Sequence, residues 1–292
     1  MDKIQFYQWN HATLDQCDDR MDERAFAFGD GFFSTMGVFA GQIIALDFHH
    51  QRINQGLVAF ALQLDVALLF AELRHLATKV HQGIIKIIIT RQKQTLRGYG
   101  FVDDGNNKAQ VYLKTSPINT SFATGFIQDI PVQAPIRVIT LGSQLAHRPS
   151  RLAGLKLIGC TEQVLAHAEL LAKQAFDASI DDGLVANVHG EWICATMGNI
   201  FYQLSDDIWY TPPVDKSGVA GVMRAKIMAS GICGVVRERV LADGDLLKIT
   251  RLFITNAVRG ITPVAEFNIT SFGDDKQRLL EPIFTRDCFD RC

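Results

Sequence analysis

The chain has 292 residues, 48% hydrophobic and 21% charged, with a formal net charge of −2. That length can bury a large core in one or two domains, and the composition is that of an ordinary globular enzyme. No long Lys/Arg run offers nucleic acid an electrostatic footprint, and no apolar run reaches the roughly 18 residues of a membrane span.

Along the chain, Val38–Leu46 reads as a hairpin with Ala40-Gly41 at its turn. Apolar residues at helical spacing predict helices from Phe48 to about Leu62 and from Asp65 to about His81. Gly83–Thr90 and Ala109–Lys114 are β-branched or alternating, hence strands. Residues 118–126 make the linker in a stretch rich in Ser, Thr and Gly, dividing an N-terminal unit (1–117) from a larger C-terminal unit (127–292). In the latter, Ile136–Thr140 predicts a strand and Thr161 to about Ala178 a long helix. Leu184–Val188, Ile200–Leu204 and Ile208–Thr211 read as successive antiparallel strands, then Val222–Ser230 as a helix and Leu252–Thr255 as a strand. The expected architecture is α+β, two domains with a cleft between them.

Six cysteines (17, 160, 194, 233, 288, 292) fall at irregular spacings with no CxxC pair, so neither zinc nor a redox motif is expected. Met1–Phe6 lacks the apolar core of a signal peptide, and the expectation is a cytoplasmic protein with reduced thiols. Asp181-Asp-Gly183 reads as a turn, and His49 and His50 as structural partners of a helix start.

Four segments carry chemistry. Lys156, in Leu152-Ala-Gly-Leu-Lys156, follows a small-residue turn and precedes an Ala/Leu-rich amphipathic helix. Asp22–Thr35 is a glycine-punctuated turn leading into a strand, and on its own fits a purely structural role. His49-His-Gln-Arg52 opens a helix, where an arginine fork suits either solvent or a phosphate. Asp215–Arg224 is a small-residue loop entering a helix, whose first amides at Val222 and Met223 make an anion site.

In their joint order and spacing, over roughly residues 20 to 265, these segments resemble the fold-type IV pyridoxal 5'-phosphate enzymes. That family includes branched-chain aminotransferases, D-amino-acid aminotransferases and 4-amino-4-deoxychorismate lyases. The resemblance implies that Lys156 carries the cofactor and shuttles the proton, a task suited to a desolvated amine. It implies that Arg52 and the amides of Val222 and Met223 hold the cofactor phosphate, and that Val219 packs on its ring. The lyases are the most similar members at Phe33-Ser-Thr35, Arg97-Gly-Tyr99 and Asn256-Ala257. By that resemblance Thr35 aids proton transfer, Arg97 meets a substrate carboxylate, the protein is a homodimer, and the reaction yields 4-aminobenzoate and pyruvate. A branched-chain or D-amino-acid aminotransferase, or a diverged non-catalytic homologue, are the alternatives.

The chain departs from the family at Cys194, where a glutamate normally pairs with the pyridine nitrogen. Three explanations stand open at this stage: a thiolate at Cys194, Glu191 reaching in from a shifted register, or an unprotonated ring nitrogen. After Lys156, the lyases' polar residues are replaced by Leu157-Ile-Gly-Cys-Thr161.

Overall fold

Alternation in one strand sets the frame of the first half of the chain. In Gly83–Arg91, Ile85, Ile87 and Ile89 are fully buried while Ile84, Lys86 and Ile88 are half-buried, the period-two signature of a sheet covered on one side. The computed structural model describes residues 7–10, 13–16, 22–94, 96, 98–103, 107–117, 123–268 and 270–271. In chain order it begins with a ribbon of β1 (Tyr7–Asn10) and β2 (Thr13–Gln16). There follow α1 (Arg24–Phe28), β3 (Gly31–Phe39), β4 (Gln42–Ile43), α2 (Leu46–Phe60), α3 (Val66–Val80), β5 (Gly83–Arg91) and β6 (Ala109–Pro117).

These strands form a four-stranded antiparallel sheet in the order β4-β3-β5-β6. One face packs Phe32, Met36, Ile85, Ile87 and Ile89 against Ile53, Leu57, Phe70 and Leu73 of α2 and α3. The other face carries Phe33, Thr35, Lys86, Ile88 and Tyr112. Helix α3 starts where Asp65 caps it, its carboxylate accepting from the Leu68 amide at 2.9 Å. The hairpin turn falls at Ala40-Gly41 as predicted, but β4 stops at Ile43. Ala45, at φ 55°, turns the apolar run into α2 two residues earlier than expected. The glycine-punctuated segment holds the short helix α1, closed by Gly29 at φ 62°. Behind it Asp30 binds Arg24 at 2.6 Å and Arg91 at 3.0 Å, a structural knot.

The second half continues with β7 (Gly125–Ile127), β8 (Ile130–Val132), β9 (Ile136–Leu145), α4 (Thr161–Phe176), β10 (Asp182–Asn187), β11 (Trp192–Ala195) and β12 (Asn199–Gln203). Then come β13 (Trp209–Thr211), α5 (Val222–Ser230), β14 (Val236–Glu238), α6 (Asp243–Leu246), β15 (Arg251–Asn256), β16 (Gly260–Phe267) and β17 (Thr270–Ser271). They build an 11-stranded mixed sheet, β14-β13-β12-β11-β10-β9-β16-β8-β7, with β15 pairing β12 and β16, and β17 pairing β16. The meander β10 to β13 is antiparallel, as expected, but includes β11. Helix α4 crosses from β9 to its parallel neighbour β10 and buries Ala166 and Leu170 against Leu141, Val185 and Ile193. Helix α5 buries Val222, Met223 and Ile227 under Phe201 and Phe253.

Asp181-Asp-Gly183 is not a free turn. Asp182 opens β10, buried, its carboxylate accepting from the Thr196 hydroxyl at 2.6 Å. The architecture is α+β, and among the described residues no helix is long and apolar enough to cross a membrane.

Candidate active site

Lys156 sits in an extended segment gripped from both halves of the chain. On one side its carbonyl accepts from the Phe33 amide at 2.8 Å, Leu157 bridges Phe32, and the Ile158 amide donates to Gly31 at 3.2 Å. On the other side Gly154 bridges Val219, and the Ala220 amide donates to the Gly154 carbonyl at 2.8 Å. Gly154 takes φ 75°, a left-handed conformation that favours glycine at the turn before the lysine. The backbone of Lys156 is therefore fixed by the strand β3 and by the loop that leads into α5. Burial, then the charges of Arg52 and Lys86, pull its ammonium down from 10.5 to about 8.

Arg52 projects from α2 and is almost fully buried. Its guanidinium donates to the Ser34 hydroxyl at 3.3 Å and to the Ala220 carbonyl at 2.8 Å. Both partners are neutral, and among the described residues no carboxylate pairs with it. Burial pulls the guanidinium down to about 10. Ser34 in turn meets His49 Nδ1 at 2.8 Å. His49 is fully buried and held neutral, its ring pulled down to about 3 by desolvation and by Arg52. With Nε2 unpartnered, a proton on Nδ1 leaves only a lone pair unsatisfied, the less expensive orphan. His49 is thus a structural partner, as expected, but of Ser34 and through it of Arg52.

Helix α5 begins at Val222 after its N-cap Gly221, so the Val222 and Met223 amides follow, within two or three residues, the Ala220 carbonyl that takes the Arg52 guanidinium. First-turn amides have no intrahelical acceptor and carry the positive end of the helix dipole. The loop before them is held by Asn199, which donates to the Val219 carbonyl at 2.9 Å. A Cβ on Gly221 would lie 1.9 Å from Asn199 Oδ1. The side chains of Val222 and Met223 point into the core, so only their backbone faces a ligand. Val219 is half-buried beside Gly154.

Two residues join this group: Phe33, which the sequence offered only as part of the Phe33-Ser-Thr35 likeness, and Lys86, which sequence reasoning passed over. The Phe33 ring lies 4.8 Å from Lys156 Nζ and 4.7 Å from Lys86 Nζ. Lys86 is directly opposite Thr35 across β5 and β3, which puts the Thr35 hydroxyl on the same face. The signal for Lys86 was present: a lone charge in a run of isoleucines, on the alternate positions that escape the core.

Cys194 lies on β11 between Val185 and Asn199. Burial, reinforced by Asp182 and opposed by Lys156, pushes its thiol up to about 12, so a thiolate is not the species present near neutral pH. Glu191 closes the β10–β11 turn, accepting from the Asn187 side chain at 2.7 Å, and is committed there. Of the three explanations for the missing glutamate, a site without an acid at this point is the one the geometry favours. Arg97 lies outside the described residues. Its neighbours Gly98, Tyr99 and Gly100 are tied back through their carbonyls to Arg24, at 3.0 Å for Tyr99.

Comparison with known proteins bears on the same stretch of chain. The model of the family described as Amino-transferase class IV matches residues 31–267. An aminodeoxychorismate lyase of Vibrio harveyi is 30% identical over 248 residues, 83% of this chain and 85% of that protein. The crystal structure of 4-amino-4-deoxychorismate lyase from Pseudomonas aeruginosa is similar with a TM-score of 0.74 at 29% identity, covering 98% of this chain and 100% of that one. The PLP-bound form of a hypothetical aminotransferase from Mycobacterium tuberculosis has the same fold, with a TM-score of 0.67 at 15% identity, covering 94% and 97%. The lysine and the buried arginine both fall within the matched residues, and the chain belongs to the class IV aminotransferase family.

Proposed function

We propose that this chain is a pyridoxal 5'-phosphate-dependent aminodeoxychorismate lyase, converting 4-amino-4-deoxychorismate to 4-aminobenzoate and pyruvate in folate synthesis. The observation that carries the reading is a pair of cations, the half-buried Lys156 and the buried Arg52, with no carboxylate among the described residues paired with either. It occurs in a chain 30% identical to an aminodeoxychorismate lyase.

The residues fit the cofactor at two points. Arg52, oriented by neutral acceptors, keeps its whole charge for a phosphate, and the α5 amides add donors beside it. Lys156 supplies an amine that burial makes neutral in roughly a tenth of molecules at pH 7. They do not fit a protonated pyridine nitrogen, because Cys194 is a neutral thiol. Val219 remains the candidate for packing on the ring face. When bound, the cofactor supplies a carbonyl for the substrate amine and a conjugated ring that accepts electrons.

The chain's own residues then have separable tasks. Lys156 takes the proton from the carbon that bears the amine and returns it. Thr35, on the sheet face shared with Phe33, relays a proton to the departing pyruvyl group. Arg97 meets a substrate carboxylate by resemblance alone. The same reading takes 1–117, 118–126 and 127–292 as small domain, linker and large domain, with the cofactor in the cleft. In support, the four-stranded sheet ends at Pro117, although β7 of the 11-stranded sheet begins at Gly125 and takes the last two residues of the expected linker. A cytoplasmic homodimer belongs to this reading by resemblance.

The test is pyruvate release from 4-amino-4-deoxychorismate by purified, cofactor-loaded protein. Robust release supports the lyase and shows that an acid at position 194 is dispensable. Rapid conversion of an amino acid to its keto acid without pyruvate release from that substrate moves the assignment to an aminotransferase. No turnover, despite a visible band that disappears in Lys156→Ala, moves it to a non-catalytic homologue.

A further inference from the structure

The outer face of the four-stranded sheet carries a cation that the scheme above leaves unused. Lys86 stands in the middle of β5, turned from the α2–α3 core onto the face of Phe33 and Thr35. Strand β5 and the extended segment of Lys156, on opposite sides of β3, bring two ammoniums onto one ring: Lys86 at 4.7 Å from Phe33 and Lys156 at 4.8 Å. Lys114, exposed on β6, stands directly opposite Lys86 and extends the row of positive charge.

Among the described residues Lys86 makes no ion pair, and the charged groups acting on Lys156 include no carboxylate. The ring quadrupole stabilises each cation but leaves their mutual repulsion in place. A surface lysine would relieve it by extending into water, whereas Lys86 is half-buried against the sheet. Among the described residues the protein supplies no anion to Lys86, and a ligand carboxylate would.

In the proposed function a phosphate is already provided for by Arg52 and α5. What remains suits a carboxylate. Lysine is a compact point charge rather than a fork, and the neighbouring Phe33 face favours a flat unsaturated ring. We propose that Lys86 anchors the ring carboxylate of an unsaturated cyclic amino acid, laying its ring along Phe33 so that the amine end faces Lys156. The proposal rests on the reading of Lys156 as the reacting lysine. It gives substrate specificity to a residue on the sheet rather than on the 97–99 loop.

Calorimetric titration of the cofactor-loaded protein with 4-aminobenzoate and its neutral isostere 4-aminobenzamide tests it. The carboxylate should bind about tenfold tighter, the scale of one charge-assisted hydrogen bond. Lys86→Gln should abolish that preference, and Lys86→Arg should keep most of it. A preference that survives in Lys86→Gln, or one that is absent in the wild type, overturns the proposal. Failure to retain pyridoxal phosphate would instead sink the reading of Lys156, and the carboxylate preference is still measurable on that protein.

Discussion

Replacing Lys156 by methionine separates the charge of this residue from its volume. In the native protein its ammonium titrates at about 8 instead of 10.5, chiefly through burial. The unfolded chain titrates at the ordinary value. Between those two values the unfolded state binds more protons than the native state, so native stability rises with pH across that window. Below pH 8 both states are protonated and the whole penalty is present. A fall from 10.5 to about 8 is worth roughly 3 kcal/mol. Partial exposure screens some of it, and the lost cation–π contact with Phe33 takes back roughly 0.5 to 1 kcal/mol. Lys156→Met is therefore expected to stabilise the cofactor-free protein by about 1–2 kcal/mol at pH 7. The advantage should shrink towards zero near pH 10.5. Urea unfolding of both proteins at pH 7 and pH 10 reads this directly, since other titrating groups are common to the pair and cancel. Cofactor must be absent, because binding to the native state alone would add its own stabilisation. A methionine variant no more stable at pH 7, or one whose advantage persists unchanged at pH 10, refutes the uncompensated buried ammonium.

Further expectations concern the rest of the site. Arg52→Gln should weaken pyridoxal phosphate about a hundredfold, two charge-assisted hydrogen bonds' worth, and leave pyridoxal nearly unaffected. Titration of the visible band with each compound checks it, and equal losses for both would count against a phosphate at Arg52. The thiols of Cys194 and Cys233, each pushed up to about 12 by burial, should resist iodoacetamide at pH 8 in the native protein. Peptide mass spectrometry showing Cys194 alkylated as fast as free cysteine would reinstate the thiolate. Gly221→Ala drives a Cβ into Asn199 Oδ1 and should break the bond that holds the α5 loop. A loss of about 1–2 kcal/mol in stability, with about tenfold weaker cofactor binding, is the expected result, and wild-type values for both would contradict it.

Most of the regular elements were legible because their signals are local. The isoleucine alternation of β5, the Asp65 cap of α3 and the apolar spacing of α4 each specify their own element whatever surrounds it. Helix α5 was expected from Val222 to about Ser230 and spans Val222–Ser230. The elements that escaped were mostly short, with the eight-residue β16 (Gly260–Phe267) the exception. Strand β11 has four residues and exists through pairing with β10 and β12, and α1 has five and closes on Gly29. Asp181-Asp-Gly183 has the composition of a turn, yet the buried carboxylate of Asp182 finds Thr196, 14 positions further on, which no local pattern announces.

The candidate site divides along the same line. Sequence by itself determined which chemistry was available: one lysine after a small-residue turn, one arginine near a helix start (in the structure the seventh residue of α2), one glycine-rich entry to α5, and a cysteine where an acid is usual. The tertiary structure decided which charges are uncompensated, because that depends on what lies across space rather than along the chain. It showed Arg52 held, among the described residues, by Ser34 and Ala220, and Lys156 and Lys86 both beside the Phe33 ring. It also decided that Cys194 is a neutral thiol, since desolvation is a property of the packed interior and has no counterpart in residue order.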